Sequence, residues 1–128
     1  MKKFLLFAII SLFTTFSFGQ KAEWKQMKDF HKVISKTFHP AEEGNLKPAK
    51  DSAAVLVAAA KTWGQSIVPA GYNEKVVKPI LKRLYKQCFE FEKAVAAGKS
   101  DAELKTLISQ VHDTFHEIME KCMDEHKG

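Results

Sequence analysis

His112 and His116 close the run His-Asp-Thr-Phe-His, and on a helix that four-residue spacing puts two imidazoles one turn apart on one face. Neutral imidazole ligates zinc, copper and nickel well, and such a pair is the commonest way for a single helix to offer two nitrogens to a metal. A third imidazole, His31, falls on a stripe otherwise made of Trp24, Met27, Ile34 and Phe38. If buried there, its ring nitrogens need partners, or the chain loses on the order of a few kcal/mol. His31, His112 and His116 together point to coordination of a divalent transition metal, with Glu120, Glu117, Cys122 or Met119 as further ligands. His39, with Glu42 and Glu43 close behind it, makes a looser second site or extends the first. The residue types do not select among zinc, copper and nickel.

Other chemistries find less to work with. No Ser or Cys nucleophile stands with an identifiable base and orienter, and no Gly-rich loop would cradle phosphate. A di-iron carboxylate bundle needs Glu-x-x-His on two helices, whereas His116-Glu117 reads in the wrong order. The chain therefore does not read as an enzyme. Catalysis is left only to a bound metal with an open coordination position.

Four segments carry apolar residues at alternating spacings of three and four, the signature of one helical stripe. They run Trp24, Met27, His31, Ile34, Phe38; Ala49, Ala53, Leu56, Ala60, Trp63, Ile67; Val77, Leu81, Leu84, Cys88, Phe91, Val95; and Leu104, Ile108, Val111, Phe115, Ile118, Cys122. The breaks have their own chemistry. His39-Pro40 should end the first helix, and the stretch to Pro48, with Gly44, reads as a loop. Pro69 and Gly71 close the second helix, Asn73 caps the third, and Pro79 should kink or fray its start. Gly98 ends the third, and Ser100 with Glu103 forms a capping box for the fourth. Short connections favour antiparallel neighbours, so the fold expected is all-α, an up-down-up-down four-helix bundle.

The bundle sets which residues share a level. Across the first and last helices, residues whose numbers sum to about 147 should lie at one height, which places His31 beside His116. His31 points within about 20° of its stripe's centre, His112 and His39 roughly 80° to 100° away, and His116 about 120° away. Across the Gly98 turn, Cys88 faces Gln110, so Cys122 lies roughly 18 Å further along. A disulfide needs α-carbons within about 7 Å. Cys88 then reads as core, and Cys122 as a second small hydrophobe near the open end, or else as the source of an intermolecular bond, which would make a homodimer, or of metal ligation.

Residues 1–19 read as a cleaved signal peptide: Lys2 and Lys3, an apolar run from Phe4 to Phe16, then Ser17-Phe18-Gly19. Roughly 13 apolar-rich residues are too few to span a bilayer, so no stable membrane insertion is expected after cleavage. Residues 20–128 form the bundle domain, and the address is periplasmic or secreted. Loss of the two leader lysines lowers the formal charge from +5 to +3. The other lysines are dispersed and Arg83 is alone, which argues against a nucleic-acid partner.

The layout resembles the cytochrome c-prime family, exported four-helix bundles that carry haem near the end of the last helix. The alanine-rich second helix, Trp63 and Pro69 before the third, the Gly98 turn and the run His112-Asp113-Thr114-Phe115 carry the resemblance. It implies a haem-ligating role for His112, but the family's attachment motif has two cysteines where this chain has Ile108 and Val111. Covalent haem attachment is thereby removed. The layout also resembles b-type four-helix cytochromes, which implies a non-covalent alternative with Met27 and His112 or His116 as haem ligands in an electron carrier. A further alternative is a cofactor-free, chaperone-like bundle, for which Phe30, Tyr85 and Phe89 would supply an exposed apolar patch.

Overall fold

The computed structural model describes residues 23–121, so the signal-peptide reading of residues 1–19 and the proposed roles of Cys122 lie outside the described residues. Within them the chain is all-helical: α1 Lys25–Glu42, α2 Lys47–Asp51, α3 Ala53–Gln65, α4 Glu74–Ala96 and α5 Asp101–Lys121. Helix α1 packs on α2, α3 and α5, α3 packs on α4, and α4 packs on α5. None of these helices is long and apolar enough to cross a membrane.

The caps follow from local chemistry. Gly44 and Gly98 both take positive φ, 92° and 70°, where a side chain would strain the backbone. After α1, Gly44 N–H donates to Ala41 O and Asn45 N–H to Pro40 O; after α4, Gly98 donates to Val95 O and Lys99 to Ala94 O. Both ends are Schellman motifs, which satisfy carbonyls that a helix end would otherwise leave open. Asn73 Oδ1 accepts from Val76 N–H, and Ser100 Oγ accepts from Glu103 N–H, as the sequence predicts.

Three boundaries differ from the sequence reading. Helix α1 does not stop at His39 but carries Pro40 in its last turn, where the missing N–H removes one bond at an exposed helix end. Burial of Ala41 holds that turn on the core. The single helix expected from Ala49 to Ile67 is interrupted at Ser52. Ile67 falls beyond α3 and is 90% exposed.

The stripes of α4 and α5 are buried as expected: Val77, Leu81, Leu84, Cys88 and Phe91 on one, Leu104, Ile108, Val111, Phe115 and Ile118 on the other. On α1 the inward face is Phe30, Ile34, Thr37, Phe38 and Ala41, so the expected interior place of His31 is wrong. Phe30 is wholly buried, which also removes it from the exposed patch, while Tyr85 and Phe89 are exposed. Phe30 meets Trp63 and Phe115 with ring centroids 5.5 and 5.9 Å away. His31 is exposed and stacks on Phe115 at 5.2 Å. Trp24 joins this cluster edge-on to Trp63, and its Nε1 donates to Ser66 Oγ at 2.9 Å. This hydrogen bond ties the start of α1 to the end of α3.

Truncating Phe30 should leave a cavity beside two other large rings. Phe30→Ala is expected to cost about 3–5 kcal/mol in urea unfolding, and His31→Ala less than about 1 kcal/mol. The reverse order would refute this rotation of α1.

Candidate metal centre

The rotation that buries Phe30 and Phe38 turns His39 outward toward α5. His112 lies flat against Phe38, with centroids 3.9 Å apart and planes 10° apart. The side chain is 21% exposed. Its ring is 6.3 Å from that of His39 and 4.5 Å from that of His116. The three imidazoles thus form a file across the seam between α1 and α5. His31 is not part of it: its ring contact is with Phe115, and none among the described residues joins it to another histidine. The expected height was nearly right, since His31 meets Phe115, the neighbour of His116. The direction in which it points was not.

Carboxylates flank the file. His116 Nδ1 lies 3.2 Å from Glu120 Oε2. With the proton on Nδ1, the ring donates to Glu120 and keeps the Nε2 lone pair free, the arrangement that orients metal-bound histidines elsewhere. Glu42 Oε1 stands 3.7 Å from His39 Nδ1, and Asp113 Oδ1 stands 3.9 Å from His112 Nδ1. These are charge neighbours at distances too long for good hydrogen bonds. Glu117 is engaged elsewhere, with both oxygens paired to Arg83 at 2.9 and 3.2 Å. Met119 packs against the core. Glu43 is exposed at the C-cap of α1.

The file is not a ready-made cage. Among the described residues, no three His, Cys, Asp or Glu side chains already converge as a metal site. Two imidazoles on one tetrahedral zinc have ring centroids roughly 5 Å apart, given Zn–N bonds near 2.0–2.1 Å. The observed 4.5 and 6.3 Å lie on either side of that value. His39 is 64% exposed and His116 39%, so both can rotate. His112, held by Phe38, is the fixed member.

Burial pushes the His112 pKa below its ordinary 6.5, and the neighbouring His116 and His39 push it the same way; Asp113 and Glu42 oppose them. The ring therefore stays neutral, with a lone pair to give, further into the acid range than a free imidazole. Burial also holds the Cys88 thiol up at about 12, so that wholly buried residue is an inert hydrophobe rather than a ligand.

Ile108 and Val111, at the attachment positions, are wholly buried core residues. Met27 packs against the core, and its sulfur lies 3.9 Å from the Tyr72 hydroxyl. No family model matches the chain, and comparison with curated proteins and with solved structures found no match.

The shift at His112 carries a stability consequence. Between the folded and unfolded pKa values the unfolded chain binds more protons, so stability rises with pH through that window and is lost as pH falls from 6.5 toward the lower folded value. An NMR titration should place the His112 midpoint below 6.5. Urea unfolding should show a steeper loss of stability on acidification for the native chain than for His112→Asn. Equal slopes would contradict the burial argument.

Proposed function

We propose that this chain is an exported, antiparallel four-helix bundle of cytochrome c-prime layout that binds a divalent transition metal through His39, His112 and His116. Helices α2 and α3 together form one broken helix of that bundle. The role is metal sequestration or sensing outside the cytoplasm. The observation that carries the reading is the file of three imidazoles across the α1 and α5 seam, with its middle ring clamped on Phe38 and held neutral by burial. Metal entry would turn His39 and His116 inward about the fixed His112, with Glu120 holding the far nitrogen of His116. Ligand exchange is then easy at the exposed members, as reversible sequestration or sensing requires. Zinc, copper and nickel all suit imidazole. His31 has no part in this ligand set.

A chelated and desalted sample offered zinc, copper or nickel should retain one ion in native mass spectrometry. His112→Ala and His116→Ala should each weaken binding at least about tenfold, and Glu120→Gln by about tenfold through the lost orientation of His116. His31→Ala should leave affinity within about twofold, because its ring lies on Phe115. Affinity should fall between pH 7.5 and 5.5 as the imidazoles protonate. Retention of no ion by the folded protein, or affinity insensitive to that pH change, would dismiss the reading.

A further inference from the structure

Gly64 sits in the last turn of α3 without a conformational reason to be glycine. It is helical, its φ is not positive, and a β-carbon built on it meets nothing within 4 Å. Glycine is a poor helix former because it loses the most backbone freedom on folding. What the missing side chain does preserve is an open groove of about 600 Å³ between α3 and α4, a volume within the usual range of roughly 300–1,000 Å³ for small-ligand sites.

Ala60 and Gly64 of α3 face Leu81 and Tyr85 of α4 across this groove, and Lys61, Lys78 and Lys82 also line it. Among the described residues, no carboxylate does. Lys78 Nζ reaches the Gly64 carbonyl at 3.3 Å. Among the described residues, none of the three lysines is in an ion pair. The three cations thus border an apolar floor, and among the described residues no carboxylate pairs with them. An anion attached to an apolar body would meet both the positive charge and the exposed carbon surface.

We infer that the α3 and α4 groove binds a small amphiphilic anion, a free single-chain carboxylate whose head lies among Lys61, Lys78 and Lys82 and whose tail fills the space left by Gly64. The site shares no residue with the histidine file and does not depend on metal binding.

Decanoate titrated into the isotope-labelled protein, at concentrations where it is monomeric, should give saturable amide shifts centred on Gly64, Lys82 and Tyr85. Decanol should bind at least about tenfold more weakly for want of the charge, and the double variant Lys61→Glu/Lys82→Glu should weaken decanoate by a similar factor. Gly64→Leu should fill the groove and abolish saturable binding while the circular-dichroism melt is unchanged or raised. Shifts that do not saturate, or a folded Gly64→Leu protein that binds decanoate as the native one does, would overturn the inference. So would sedimentation with phosphatidylglycerol vesicles in the absence of any decanoate response, because a membrane surface rather than a free amphiphile would then be the occupant.

Discussion

The packing of Phe30 between Trp63 and Phe115 fixes the rotation of α1, and most of the functional geometry depends on that rotation. At 100° per residue a helix cannot bury Phe30 and His31 equally. Fully burying a phenyl ring gains roughly 1.5–3 kcal/mol, whereas an imidazole in the same place would need two hydrogen-bond partners. With Phe30 inside, Ile34 and Phe38 follow inward, and His31 and His39 are left outside. Phe38 then provides the flat surface on which His112 rests. The aromatic cluster thus decides which histidines can meet, and two of them touch it from outside at Phe115, His31 stacked on the ring and His116 edge-on to it.

This explains which parts of the molecule could be read from its residues. Height along the bundle was legible, because helical rise is fixed and the apolar stripes of α4 and α5 are unambiguous. Rotation of α1 was not, because both Phe30 and His31 lie one turn before Ile34, at i−4 and i−3. A regular three-four path through Met27 favours His31; the greater gain from burying Phe30 decides the other way. That signal was present in the residue types and lost by following spacing alone. The break at Ser52 and the passage of α1 through Pro40 are different in kind. They depend on where Leu46, Ala49 and Ala41 find the core, which only tertiary packing determines.

Electrostatics gives the histidine file its asymmetry. The middle ring loses solvent to Phe38 and has an imidazole on either side, so a proton there is disfavoured. The outer two have Glu42 and Glu120 for company and keep more contact with water. A cation that accepts lone pairs finds that of the middle ring available, because burial and the neighbouring rings disfavour a proton there. Arg83 contributes by occupying Glu117, which leaves Glu120 as the carboxylate that orients His116.

The same cluster reaches the far side of the molecule through α3. Trp63 and Gly64 are consecutive, so the rotation that sets the indole against Phe30 and Phe115 turns the glycine about 100° away, toward the lysines of α4. The small residues before it serve two ends of one requirement. Ala53 and Ala60 are buried and let α3 approach its neighbours, while Gly64 comes where that approach is no longer needed and the helix is about to end. A larger residue there would be compatible with the backbone, as the empty surroundings of its missing β-carbon show. Packing therefore does not account for the glycine, and the unfilled groove lined by Lys61, Lys78 and Lys82 is the feature of this structure that its absence of a side chain maintains.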